Sequence, residues 1–394
     1  MIERWLIIAH EATNSGGPRM LLETLRGVKA ARGPDWSCKI ILRRGGVLLP
    51  EFARLGPVYL LSHDWAEGQS FRAGILRKFI DRPWLQPWRM KKCMRQLSGS
   101  KFDLVYNNTA TNGYLTAVVR SLGCPVLTHV HELKCVLRHF ISPRELAKTL
   151  DNSDHFLAVS PAVLADLKDL GVSEEKITIA ANFLPSLPDE IGESKRFELR
   201  ERLNLPPDAF VIAGCGHVHP LKGTDLFVEV AALFSGLTGK KLIFVWIGGE
   251  TDERFARKVR RLVSRRKLEN VMRFVGPVQD PSPWFAASDV VAVTSRVESF
   301  SLVALEAAAL GRLVVGFSGA RGLAGLLGDR PGLLVPDYDL PAMASVLHAM
   351  LENPQTAREH GQQLRRRVAK EFLAGPGIAT ILKAVDDLRQ KTVI

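Results

Sequence analysis

The feature that most limits what this chain can become is a double alternation of short apolar runs with helix-length segments. Residues 6–9, 39–42, 104–106, 125–129 and 156–159 form one series of strand candidates, and residues 211–214, 242–247, 272–275, 290–294 and 313–317 form a second. Strands separated by helical stretches are joined by crossovers, which build parallel sheets from βαβ units. A polar, proline-rich stretch at 182–207 divides the two series. Two α/β domains are therefore expected, at about 1–185 and 200–370, and 394 residues suffice for both. Residues 356–388 read as an amphipathic helix broken near Gly375-Pro376-Gly377.

Composition excludes some classes and leaves others open. With 46% hydrophobic and 24% charged residues the chain has a globular balance. It has no apolar run long enough to span a membrane, and its first residues read as a strand rather than a signal peptide. The five cysteines are odd in number and lack metal-ligand spacing, as expected of reduced cytoplasmic thiols. A formal charge of +12 points to an anionic partner without choosing among nucleotide phosphates, lipid headgroups and nucleic acid. No nucleic-acid recognition motif supports the last.

Two segments have the makings of a ligand site in the second half. After the strand candidate at 211–214 comes Cys215-Gly216-His217-Val218-His219-Pro220-Leu221-Lys222-Gly223-Thr224-Asp225, entering a helix. Glycines permit close backbone approach, a helix N-terminus offers unpaired N–H groups, and Lys222 supplies a cation for a diphosphate. The same residues would also serve a plain turn with a solvated lysine. Further on, Asp289-Val-Val-Ala-Val-Thr-Ser-Arg-Val-Glu298 is a buried strand ending in a polar loop. Ser301 then caps a helix holding Glu306, and Gly311 ends it in the left-handed conformation. Strand, loop and helix in that order put Glu298 and Glu306 at the carboxyl edge of a sheet, where open α/β sheets bind ligands.

In the first half, Asn14-Ser-Gly-Gly17-Pro-Arg19 follows a strand and opens a helix, but it is not a dinucleotide fingerprint. His129-Val-His131-Glu132 puts both imidazoles on one face of an extended segment. A metal would need a third ligand, and none stands at a recognisable spacing. Asp337-Tyr-Asp339 reads as a helix cap at Asp339 rather than a metal-binding pair. Residues 71–97 interleave Arg72, Arg77, Lys78, Arg82, Arg89, Lys91, Lys92 and Arg95 with Leu76, Ile80, Trp84 and Trp88. That pattern suits an anionic membrane surface, or equally a solvated face. A second basic run, 254–267, reads as an exposed helix.

The stretch from Phe274-Val-Gly276 through Ala287-Ser-Asp289 to Glu298, Glu306 and Gly311 resembles the signature of the retaining glycosyltransferases of family 4. The resemblance implies the GT-B fold, two Rossmann-like domains facing a central cleft, with a last helix near 375–394 returning to the first domain. It implies transfer of a sugar from a UDP-, GDP- or dTDP-sugar, without metal, to a hydroxyl of a glycan or lipid-linked acceptor. By that resemblance Lys222 is the phosphate lysine and Gly216 belongs to its loop. Gly16 and Gly17 lie against the diphosphate and acceptor, and His131 faces the donor sugar. Glu298 holds sugar hydroxyls and Glu306 the ribose, with Ser299, Phe300 and Ser301 between them in the donor loop. The family's arginine in the phosphate loop is His217 here, a weaker neutraliser of leaving-group charge than guanidinium. That departure keeps a non-catalytic binding protein open beside a transferase, and a sugar-nucleotide epimerase would use the same donor site. The expected setting is bacterial surface-polysaccharide assembly, in the cytoplasm or peripherally at the inner face of the membrane.

Overall fold

The structure, a computed structural model, describes residues 2–62, 86–328 and 333–392. The chain divides into two compact units, Met1–Phe183 with Ala374–Ile394, and Leu184–Leu373.

The first unit is built on a parallel sheet of β1 (Glu3–Ala9), β2 (Trp36–Leu42), β3 (Val58–Leu60), β4 (Leu104–Asn107), β5 (Val126–Val130), β6 (His155–Ala158) and β7 (Ile177–Ile179). Their spatial order is β3-β2-β1-β4-β5-β6-β7. The second unit holds β8 (Phe210–Cys215), β9 (Leu242–Ile247), β10 (Met272–Gly276), β11 (Val290–Val293), β12 (Leu313–Phe317) and β13 (Leu334–Val335). Their order is β10-β9-β8-β11-β12-β13, again parallel. Central strands such as β9 and β11 are buried along their whole length, which is why they read as unbroken apolar runs. In each sheet the order reverses beside the first strand, between β1 and β4 and between β8 and β11. That reversal opens a crevice at the carboxyl ends, and both candidate sites lie there.

Three details depart from the sequence expectation. The edge strands β3, β7 and β13 are too short and too little buried to leave a clear pattern. The proline-rich stretch is not all linker: Glu193–Arg202 is a helix of the second unit. Arg200 anchors it, donating to the carbonyls of Ala287 (3.0 Å), Pro207 (2.9 Å) and Ala209 (3.0 Å) and to Asp289 (2.7 Å). The late helical break falls at Phe372 and Leu373, between helices Pro354–Glu371 and Ala374–Thr392. Gly375-Pro376-Gly377 sits inside the first turn of the second helix, where a missing N–H costs no helical hydrogen bond.

Helix Ala374–Thr392 packs within the first unit against helix Gly16–Arg32. A Cβ on Gly27 would lie 2.5 Å from Ile378, so the two backbones approach closely only because Gly27 has none. At their far ends Arg389 (3.0 Å) and Arg32 (3.4 Å) pair with the buried Glu3, which also accepts from the Trp5 indole at 2.7 Å.

Candidate active site

In the second unit the site begins where β8 ends. Gly216 donates to the Ile247 carbonyl at 2.9 Å and accepts from the Trp246 indole at 3.0 Å. A Cβ on Gly248 would meet the Gly216 oxygen at 2.0 Å, so the loops after β8 and β9 touch backbone to backbone. Pro220–Lys222 forms one tight helical turn, Gly223 turns left-handed at φ 65°, and helix Thr224–Ser235 follows. Gly223 has no alternative residue: a Cβ there would lie 1.9 Å from the Thr294 oxygen. The same Thr294 donates its hydroxyl to the Gly223 carbonyl at 3.0 Å, locking the β8 loop to the β11 loop.

Arg296 completes the lock. Its guanidinium holds Asp225 with both arms (2.8 and 2.9 Å) and donates to the Pro220 carbonyl at 2.6 Å, while its N–H reaches Leu221 at 2.9 Å. With the turn held on both sides, the Lys222 ammonium lies 2.6 Å from Glu298, and the Ser295 hydroxyl donates to the same carboxylate oxygen at 2.7 Å. Glu298 is buried and Lys222 half-buried. Gly322 donates to the Glu298 carbonyl at 2.9 Å in a contact too close for any side chain. The product is a cation and an anion presented together at the carboxyl edge of the sheet.

Ser301 accepts from the Ala304 N–H at 3.3 Å and so caps helix Leu302–Ala309, while Gly311 is left-handed at φ 71°. Glu298 therefore precedes that helix, and Glu306 stands a turn inside it, half-buried. Ser299 lies in the intervening bend; the Phe300 ring is buried against Phe372, which leaves its backbone rather than its side chain to face a ligand. His217 is exposed at the mouth of the phosphate-loop candidate. Asp339 caps helix Leu340–Glu352, accepting from the Ala342 N–H at 2.8 Å.

In the first unit a polar cluster gathers at the β1–β4 reversal. His131, just past β5, places a ring nitrogen 3.1 Å from Asn108 at the end of β4, and Asn108 donates to the Gly17 carbonyl at 3.2 Å. The space a Cβ on Gly17 would fill holds no other atom, and the first turn of helix Gly16–Arg32 has no acid. His129 and His131 do share one face, their rings 4.3 Å apart. Burial pushes His129 down to about 4, and Tyr106 hydrogen-bonds its Nδ1 at 2.7 Å. Burial, then the neighbouring His129 and His10, hold His131 well below the usual imidazole range. Burial likewise raises Glu132, although the Thr109 hydroxyl and the N–H groups of Ala110 (3.4 Å) and His131 (3.1 Å) donate to it. Glu11 is pushed the other way, down to about 2, chiefly by its hydrogen bond with His10.

Sequence reasoning missed Arg296, Asp225, Ser295, Asn108 and Tyr106. Asn107-Asn108, polar and buried directly after an apolar strand, was the available signal. Of the basic stretch at 71–97, residues 71–85 lie outside the described residues. The remainder forms helix Gln86–Leu97, with Met90, Cys93 and Leu97 inward and Trp88, Lys91, Lys92 and Arg95 exposed. Among the described residues no helix is long and apolar enough to cross a membrane.

Known proteins place this architecture. Residues 209–353 match the family described as glycosyl transferases group 1, and residues 47–185 match glycosyltransferase family 4. The D-inositol 3-phosphate glycosyltransferase 2 of Catenulispora acidiphila is 32% identical over 310 residues, spanning 73% of this chain and 72% of that one. The chain belongs to glycosyltransferase family 4. A D-inositol 3-phosphate glycosyltransferase of Jonesia denitrificans is 33% identical, although the match covers only 50% of this chain and 49% of that protein. Among solved structures, Anabaena Alr3699/HepE in complex with UDP superposes with a TM-score of 0.79 at 18% identity, over 98% of this chain and 100% of that one. Sucrose-phosphate synthase from Thermosynechococcus elongatus gives 0.74 at 21% identity, over 99% and 100%. These likenesses identify the fold as GT-B, two Rossmann-like α/β domains, and the chain as a glycosyltransferase of that type.

Proposed function

We propose that this family 4 member transfers a sugar, with retention at the anomeric carbon, from a nucleoside-diphosphate donor to a hydroxyl of a glycan or lipid-linked acceptor. The observation behind this reading is the Lys222–Glu298 pair, held at the carboxyl edge of the second sheet by Arg296, Thr294 and the surrounding glycines. Departure of a nucleoside diphosphate builds negative charge on its β-phosphate. An ammonium on a clamped turn, with backbone N–H groups beside it, stabilises that charge electrostatically. In this assignment Lys222 meets the β-phosphate, beside the Gly216–His217 loop. Glu298 accepts from the donor-sugar hydroxyls once the ammonium turns to phosphate, and Glu306 takes the ribose. Ser299, Phe300 and Ser301 offer donor-loop backbone.

In the first unit, Gly17, next to Gly16, leaves open space beside a helix N-terminus, and neutral His131 hydrogen-bonds the sugar or the acceptor. The charge-stabilising groups belong to the chain itself, so the proposed reaction calls for no metal. The HepE structures hold UDP and UDP-glucose, so a UDP-sugar is the first donor to try. The relatives' name makes a phosphorylated cyclitol the first small acceptor to set beside lipid-linked glycans. A role in surface-polysaccharide assembly at the cytoplasmic face of a membrane fits the exposed Trp88 and its basic neighbours. Failure to sediment with anionic vesicles at low salt would remove that setting.

The test is a panel of UDP-, GDP-, dTDP- and ADP-sugars with free nucleoside diphosphate as readout, wild type against Glu298→Ala. Release from one donor, lost in the variant, is expected. Silence with normal nucleotide binding would indicate an obligatory acceptor. Silence without binding would favour a non-catalytic GT-B protein.

A further inference from the structure

We infer that Asn108 is a positioning residue that fixes His131 as the Nε2–H tautomer, leaving Nδ1 as the hydrogen-bond acceptor offered to a substrate hydroxyl. The Gly17 carbonyl oxygen can accept but never donate, so the Asn108 atom 3.2 Å from it must be the amide nitrogen. That decides the orientation of the amide, which would otherwise be ambiguous. The Asn108 atom 3.1 Å from His131 Nε2 is then the oxygen, which can only accept. His131 Nε2 must therefore bear a proton.

Neutrality of the ring turns this into a complete assignment. A neutral imidazole has one N–H, so a proton on Nε2 leaves Nδ1 bare. The groups around it favour neutrality: His129 on β5 at 4.3 Å between rings, and His10 at the end of β1. The nearby carboxylates are engaged elsewhere, Glu11 with His10 and Thr13, and Glu132 with Thr109, Ala110 and the His131 backbone. Arg44 acts on Glu11 from the end of β2. Asn108 itself is 2% exposed, so its amide has little alternative to these two partners. The chain of bonds also links the Gly16-Gly17 turn to the imidazole through one side chain. An acceptor nitrogen takes a proton-bearing hydroxyl as its partner, which is the chemistry of a sugar or an acceptor alcohol.

That last step rests on the transferase reading; the tautomer does not. The full chain labelled with 15N-histidine, with His131 assigned by comparison with His131→Gln, reports the protonation of each ring nitrogen without substrate. Wild type is expected to show Nε2 protonated and Nδ1 bare at neutral pH. Asn108→Ala is expected to give a mixture of tautomers and to lower turnover about fivefold to tenfold, the effect of one hydrogen bond. Asn108→Asp keeps the acceptor but adds a charge, so it should retain the tautomer and shift the acid limb of the pH–rate profile upward by about one pH unit or more. A wild-type proton on Nδ1, or an unchanged tautomer in Asn108→Ala, would overturn the inference. The wild-type spectrum is decisive even if the alanine variant does not fold. A changed tautomer with unchanged turnover would uphold the role of Asn108 and instead remove His131 from the substrate.

Discussion

The two carboxyl edges solve opposite electrostatic problems with the same scaffold. At the β8–β11 reversal the chain presents a charged pair, Lys222 with Glu298, on a turn clamped by Arg296 and Asp225. At the β1–β4 reversal it presents two imidazoles held neutral by burial, His129 and His131, beside Glu132, which burial shifts upward. An ammonium so placed can neutralise an anion, and its carboxylate partner can accept from hydroxyls. A neutral, desolvated edge orients hydroxyls by hydrogen bonds whose direction matters more than their strength.

Acid should separate the two edges most strongly. Below pH 6.5 the unfolded chain protonates His129 while the folded chain refuses the proton until about 4. Stability of the first unit should therefore fall as pH drops through that window, by about 3 kcal/mol from His129 alone, a contribution that is complete below it. Hydrogen exchange in β5 should accelerate over that range, with β11 much less affected, and His129→Gln should flatten the response. Equal acid sensitivity of the two sheets would erase the distinction. Glu11 acts at lower pH, its stabilisation being present above about 4.5 and lost as pH falls through about 2.

The charged edge is probed next by Lys222→Ala, expected to lower turnover about 100-fold or more with little effect on folding. Wild-type rates would show the phosphate assignment to be wrong. Glu306→Ala should weaken nucleotide affinity about tenfold, the worth of one hydrogen bond to a charged group, and change turnover at saturating donor little. Calorimetry with the nucleoside diphosphate gives the answer, and unchanged affinity would sink the ribose assignment. Arg296→Ala, which touches the turn but not the proposed ligand, should cost about fivefold in turnover. Loss as large as that of Lys222→Ala would mean that the clamp itself contacts the donor.

The helix after β11 was legible to the residue because its signals are local. Ser301 caps, alanines and leucines propagate, and Gly311 terminates, each acting within a turn of itself. The edge strands were not legible, because two or three residues at a sheet margin need only half-burial and leave no period. Nor was the helix Glu193–Arg202 inside the proline-rich stretch, whose place is set by Arg200 reaching carbonyls near residue 209 and residue 287. In the sites, residue types were readable and partnerships were not. Lys222 and Glu298 were each visible as ligand-holding groups, but nothing in their spacing said that they touch.

From the chain alone followed the double parallel-sheet architecture, the carboxyl-edge location of the two glutamates and the likeness to family 4, because alternation of apolar runs and turn residues is written in nearest neighbours. Tertiary structure decided which groups meet across strands: Arg296 with Asp225, Asn108 between Gly17 and His131, and the Gly223 turn pressed on Thr294. It also decided charge, since whether an imidazole stays neutral depends on how much water the rest of the fold leaves around it. Both depend on residues tens of positions apart brought within a few ångströms, information that a local pattern does not contain.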